Sequence, residues 1–203
     1  DYVCQNSYDA VMAEVVKLPR GTFRSSMTID GYDKPLQLVA QVTISDDGIA
    51  VDYDGTSPKS RYGVNVPHAY TIAYTCFGLS CIVSPDVPNN AGSLAPFKVR
   101  APEGSILNAP YPAAVCSRHV IGQMLPDTVF GCLAQAVPER VPAEGAACLW
   151  NLTFRGETDR GSNDASIFCI TAVTNGGTGA RPSKDGLSAT AYPSGVRGTP
   201  VEI

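Results

Sequence analysis

Nothing in this sequence offers a basic surface. Its 203 residues hold 15 Lys and Arg against 19 Asp and Glu, a net charge of -4, with no basic run among them. Nucleic acids are bound through clustered Lys and Arg that displace counterions, so no nucleic-acid partner is expected. Long apolar runs are missing too: none approaches the roughly 20 residues that span a bilayer, so no membrane role is expected. The N-terminal DYVCQNSYDA has neither the basic segment nor the apolar segment of a secretory signal. The expectation is a cytoplasmic chain, cut from something longer or processed ahead of residue 1.

Disulfide and zinc spacings are also absent. The 7 cysteines make an odd count with no CxxC pair, which argues against a secreted disulfide framework and a zinc knuckle. Most lie in apolar stretches such as TCFGLSC and GCLAQ, and so are expected to be reduced and buried. Asn151-Leu152-Thr153 fits the glycosylation pattern, but without a secretory signal it is read as chance.

What is present is the composition of an ordinary globular chain, 44% hydrophobic and 17% charged, long enough to bury roughly 70% of its unfolded surface. Asn6 or Ser7 can cap a helix carrying Tyr8, Val11, Met12, Val15 and Leu18 at helical spacing, and Pro19 and Gly21 end it near Leu18. LQLVAQVTI (Leu36 to Ile44), the turn SDDG and IAVDYD alternate as a β-hairpin. A second helix is expected over His68 to Val83, packed through Ala69, Ile72, Ala73, Cys76, Ser80 and Val83.

From Ser84 to Pro112 clustered Pro, Gly and Asn force turns and leave room only for short strands such as FKVRA. A third helical zone, His119 to Val137, is interrupted at Pro126, which either starts a new helix or kinks a running one. Strands CLWNLTF and SIFCITAV follow, and the last thirty or so residues are again rich in Gly and Pro. Without a βαβ rhythm, the expected class is α+β: a mixed, mainly antiparallel sheet with packed helices and long Gly/Pro-rich loops.

TNGGTGARPSKDG (Thr174 to Gly186) resembles a phosphate loop, yet the chain contains no GxxxxGK followed by Ser or Thr. Gly177 and Gly179 begin a GxGxxG pattern whose third glycine is replaced by Pro182, and the following residues do not make an amphipathic helix. These glycines are therefore expected to allow turns or a close backbone crossing, with Arg181 and Asp185 available to pin the loop. No GxSxG or HExxH occurs, and the only histidines are His68 and His119. DYDGTS (Asp52 to Ser57) lacks the spacing of a calcium loop and reads as an Asp-Gly turn. Arg118-His119 stands before an apolar helix, where an Arg and a His could meet an anionic or carbonyl group. The alternative is a structural ion pair for Arg118 and a capping hydrogen bond for His119.

Several strings recur together, in this order, in one family. They are LPRGTF (Leu18 to Phe23), VDYDGTSP (Val51 to Pro58), SPDVPNNAG (Ser84 to Gly92), APEGSILNAPYPAAV (Ala101 to Val115), RHV (Arg118 to Val120), FGCLAQAVPERVPA (Phe130 to Ala143), GGTGARPSKDG and the closing TPVEI (Thr199 to Ile203). On these the sequence resembles the hydantoinase B/5-oxoprolinase family, with acetone and acetophenone carboxylases carrying related subunits. The resemblance implies an ATP-dependent system that opens cyclic amides such as hydantoins or 5-oxoproline. In it an A-type partner subunit binds ATP and activates the amide oxygen, and the B side contributes to the hydrolytic site. It implies no cofactor in this chain, and a divalent metal bound upstream of these strings.

Residues 1–203 are accordingly expected to form the C-terminal region of a hydantoinase B-type subunit, divisible into a helix and hairpin (1–60) and an α+β part (61–203). The expected site residues are Arg118 and His119, orienting or protonating substrate, then Arg181, Asp185, Gly177 and Gly179 as loop positions, with no metal ligands. By itself the chain is expected to be inactive. The alternatives are a carboxylase subunit and a non-catalytic assembly domain.

Overall fold

The computed structural model describes residues 1–146, 149–158 and 166–187. Cys148 and the TPVEI string lie outside these residues. The fold is α+β. Its main sheet takes β1 (Gly21–Ile29), β2 (Leu36–Ser45), β3 (Gly48–Asp52) and β4 (Phe97–Arg100) in that spatial order. The first two pairings are antiparallel and the third is parallel.

Alternation dictates β2. Leu36, Leu38, Ala40, Val42 and Ile44 are buried while Gln37 and Gln41 face out, the period-2 pattern of a half-covered sheet. Ser45 pairs with Gly48 across Asp46 and Asp47, closing the expected hairpin. Gly48 has a φ of 129°, and a Cβ there would lie 2.3 Å from the Pro96 carbonyl oxygen. Only glycine lets β4 approach this turn.

β1 has no strong alternation to announce it, because its inward positions are Phe23, Ser25, Met27 and Ile29. Ser25 is small for a reason outside the strand. A Cβ on Gly131 would fall 2.2 Å from Ser25 Oγ, so a serine and a glycine together let a helix lie close on the sheet.

That helix is α5 (Leu125–Leu133), which packs on β1 and β2. It follows the single turn of α4 (His119–Gly122), and Pro126 stands in its first turn. Of the two options for Pro126, the structure takes the helix start, where a missing N–H is tolerated. α2 (His68–Val83) has the expected bounds, and its buried face keeps Cys76 and Val83 of the expected stripe but is otherwise shifted. Thr71, Thr75, Gly78, Leu79 and Ile82 turn inward, and Ala69, Ile72 and Ala73 are exposed. The inward threonines have partners there: Thr71 Oγ1 donates to the Leu107 carbonyl at 2.6 Å, and Thr75 bonds the Tyr53 hydroxyl at 2.6 Å.

α1 (Tyr2–Val15) starts earlier than a cap at Asn6 or Ser7 would allow. Ser7 is buried instead and accepts a 2.8 Å hydrogen bond from Asn90 Nδ2. Asn90 also caps the short α3 (Ala91–Leu94), its Oδ1 accepting from the amides of Gly92 and Ser93. This gives the PNNAGS stretch its purpose, the docking of α3 on α1.

The core lies between these helices and the sheet, around Val11, Leu38, Val42, Tyr53, Leu79, Ile106, Leu125 and Leu133. Apart from it, β5 (Leu149–Glu157) and β6 (Ile167–Asn175) pair as a two-stranded antiparallel ribbon. The expected burial of cysteines holds for Cys76 and Cys132 but not for Cys81, Cys116 and Cys169, which are exposed. Cys76 and Cys81, five positions apart on α2, point to different faces of the helix.

Candidate functional site

Arg118 and His119 follow a hydrogen-bonded loop. Its anchor is Asn65, completely buried, whose Oδ1 accepts from the Ser60 amide at 2.7 Å. Its Nδ2 donates to the carbonyls of Ser60, Tyr62 and Ala114, each at 2.9 Å. The amide of Ser117 then donates to Gly63 O at 2.7 Å. Gly63 lets Cys116 pack closely here, since a Cβ would meet Cys116 Sγ at 2.4 Å and push that side chain aside.

Arg118 leaves this loop as the residue before α4, and its Nη1 donates to Val115 O at 3.3 Å. Its guanidinium sits 5.9 Å from the centroid of the Tyr70 ring, and Tyr70 stacks on Tyr74 at 4.4 Å with planes 7° apart. Burial, with a smaller contribution from the hydrogen bond to Tyr74, pushes the Tyr70 hydroxyl far above the ordinary tyrosine range. The phenol therefore stays neutral, with its proton engaged toward Tyr74. The result is an exposed cation over a two-ring platform, able to stack against a flat group and to bond a carbonyl or carboxylate. The ion pair offered as the alternative for Arg118 does not form among the described residues. One turn of helix supplies little dipole, so the anion affinity expected of the α4 start rests on the side chains.

The glycine loop is a backbone crossing, as expected. The amide of Ala146 donates to Gly177 O at 3.0 Å, and the amide of Ala143 donates to Ala180 O at 2.8 Å. A Cβ on Gly179 would lie 1.8 Å from Ala143 O. No phosphate could enter between chains this close. Arg181 closes the turn by donating from Nε and Nη2 to the Asp185 backbone carbonyl, at 3.3 and 3.1 Å. The Asp185 carboxylate takes no part in those bonds. DYDGTS is likewise a turn: Asp52 pairs with Arg100 at 2.6 Å, and Gly55 has a φ of 91°.

Beneath the crossing is a residue absent from the expected site. Asp127, in the first turn of α5, is 4% exposed and lines a cavity of about 50 Å³ with Phe130, Pro142, Ala143, Thr178 and Gly179. Its carboxyl accepts from the Gly145 amide, but Oδ2 has no partner. Burial and the nearby Glu144 raise it from 3.8 to about 6. The signal was there to be read: LPDTVFGCL is an apolar helix with one carboxylate in it. The structure thus yields two separate features, the Arg118 platform and the cavity under the glycine crossing. For the divalent metal that the resemblance implies, the described residues offer no converging group of three His, Cys, Asp or Glu side chains. No described helix is long and apolar enough to cross a membrane.

Comparison with known proteins places this arrangement. The Hydantoinase B/oxoprolinase family model matches residues 1–203. A chain assigned as the B-type subunit of a D-/L-hydantoinase in Pseudomonas sp. (strain NS671) is 30% identical over 214 residues, covering 97% of this chain and 35% of its own. The 5-oxoprolinase 1 of Arabidopsis thaliana is 34% identical over 138 residues, covering 68% of this chain and 10% of its own. The crystal structure of an ATP-dependent caprolactamase from Pseudomonas jessenii matches with a TM-score of 0.77 at 24% identity, over 92% of this chain and 33% of that one. A nucleotide-free acetone carboxylase matches with a TM-score of 0.76 at 18% identity, over 91% of this chain and 27% of that one. At such identities the two structures speak for the fold alone. The chain spans 35% or less of the length of each of these proteins. It belongs to the Hydantoinase B/oxoprolinase family.

Proposed function

We propose that this chain is part of an ATP-dependent hydrolase that opens small cyclic amides such as hydantoins or 5-oxoproline, supplying scaffold and pocket residues to its hydrolytic side. One observation carries the reading: 30% identity over 97% of the chain with a protein assigned as a B-type hydantoinase subunit. The ATP, from an A-type partner subunit, activates the amide oxygen. Two features support that division, the lack of a phosphate-loop string and a glycine loop closed by backbone contacts.

In this reading Arg118, braced on the Tyr70–Tyr74 stack, orients the amide carbonyl, and His119 moves a proton to or from the reacting group. Gly177, Gly179, Arg181 and Asp185 hold the loop. The divalent metal is bound elsewhere in the subunit, and the enzyme works in the cytoplasm. By itself the chain turns over nothing.

The test is to assemble the complete subunit with an A-type partner and ATP. Opening of hydantoin or 5-oxoproline supports the proposal. Consumption of bicarbonate with a ketone, and no ring opening, replaces it with the carboxylase alternative. Ring opening by the 203-residue chain alone would defeat the need for a partner.

A second reading, an assembly role, has its own observation. Leu152, Phe154, Phe168 and Ile170 occupy one face of the β5–β6 ribbon and are all exposed. A two-stranded ribbon with a bare apolar face is marginal alone, which favours its burial against another part of an assembly.

A further inference from the structure

Asp127 is the only carboxylate among the buried residues described. Burying a carboxylate is unfavourable unless hydrogen-bond donors surround it, and here the set is incomplete. The Gly145 amide serves the carboxyl, while Oδ2 has no partner. Its own helix does not help. Pro126 lacks an N–H, and the Thr128 amide and hydroxyl both turn back to the Met124 carbonyl.

Asp127 itself lines a cavity of about 50 Å³. That is ample for a water, which needs about 10–15 Å³ by this measure, or for the edge of a small ring, and far too small for a nucleotide. Phe130 and Pro142 make its walls apolar, and the glycine crossing at Thr178 and Gly179 forms its roof. The charged group beside it is Glu144, from the crossing segment, and it adds negative potential rather than neutralising it. The neighbours from α5 and the glycine loop, Phe130, Thr178 and Gly179, carry no charge. An acceptor without a donor, in a negative and largely apolar recess, selects a small N–H donor.

We propose that this cavity is a binding subsite for a small nitrogen donor, the ring N–H of a cyclic amide or the protonated nitrogen of an amine, with Asp127 Oδ2 as the acceptor. The inference deepens the cyclic-amide reading, and rests on it for the ring-amide source alone. Asp127 lies on α5, the helix that follows α4, so a subsite here would hold one end of a substrate while other groups act on its carbonyl. The glycines of the crossing then have a second purpose: without Cβ atoms, the roof closes on the ligand through backbone alone.

Amide spectra of the isotope-labelled 203-residue chain test this, with hydantoin, 1,3-dimethylhydantoin and methylammonium as probes. Hydantoin is expected to shift the signals of Gly145, Thr178 and Gly179. The dimethyl compound, with no N–H, is expected to bind about tenfold more weakly or less, a loss of about 1.4 kcal/mol. Affinity is expected to fall by a similar factor between about pH 7.5 and about pH 5, where the carboxyl takes up its own proton. In Asp127→Asn a donor replaces the acceptor, and discrimination between the two hydantoins is expected to vanish.

Should that variant not fold, the methylated and unmethylated probes still decide the matter on the unaltered chain. Shifts from methylammonium but not hydantoin keep the subsite and remove the ring-amide source, which separates this inference from the cyclic-amide proposal. Equal binding of the two hydantoins, or no shift at these residues from either N–H probe, overturns it and leaves a cavity that holds only water.

Discussion

Replacing Asp127 with Asn should stabilise this protein at neutral pH, although it removes a hydrogen-bonded carboxylate. Asp127 is 4% exposed, and its surroundings raise it from 3.8 to about 6. A tenfold change in ionisation constant is worth about 1.4 kcal/mol, so the displacement weighs about 3 kcal/mol. Water reaching the cavity reduces this to about 2 kcal/mol in practice.

The sign follows from proton binding. The folded state holds the proton more tightly than the unfolded one, so the carboxyl's contribution is fully present below 3.8. It is lost progressively as the pH rises to about 6, and changes no further above that. Asn keeps an acceptor for the Gly145 amide and never ionises. Urea unfolding of both proteins across this range should therefore show the difference growing as the pH rises. Asn should lie about 2 kcal/mol above the parent at neutral pH and close to it at the acid end. A pH-independent difference would refute the reasoning, because it would mean that Asp127 titrates as it does in the unfolded chain.

Three further outcomes are expected. Gly179→Ala puts a methyl group 1.8 Å from the Ala143 carbonyl oxygen, so the crossing must open. A loss of about 1–3 kcal/mol is expected, read by thermal unfolding, with faster amide exchange confined to residues near 143–146 and 177–180. Asn65→Ala leaves the Ser60 amide and the carbonyls of Ser60, Tyr62 and Ala114 without their partner. That should cost about 3 kcal/mol in chemical denaturation. Arg118→Ala in the complete complex should lower ring-opening turnover about a hundredfold while leaving assembly unchanged by sedimentation. Unchanged kinetics would remove Arg118 from the pocket.

Elements with a strong local pattern were legible in the sequence. The β2–β3 hairpin alternates through Leu36 to Val51 around an Asp-Gly turn, and α2 runs between a proline and a Ser-Pro. The glycine loop could be read in part: a missing third glycine and the absent P-loop string disfavoured a phosphate site there and pointed to a backbone crossing. Elements whose sequence answers to a distant neighbour were not legible. β1 carries Ser25 inward because Gly131 of α5 packs there. α2 turns threonines inward because Leu107 O and Tyr53 accept or share their protons. Ser7 resembles a helix cap but is bonded by Asn90.

The sequence by itself determined the α+β class, the hairpin, the break at Pro126, the absence of a phosphate-loop string and, through strings spread along the chain, the family. Those properties are local or additive: periodicity, turn chemistry and motif order need no knowledge of what touches what. Only the tertiary structure decided which face of α2 is buried, that Arg118 rests on Tyr70, and that a backbone crossing packs over Asp127. Each of these depends on atoms brought together from segments tens of residues apart. Burial, and with it the ionisation of a carboxylate, is a property of that surrounding and not of the residue.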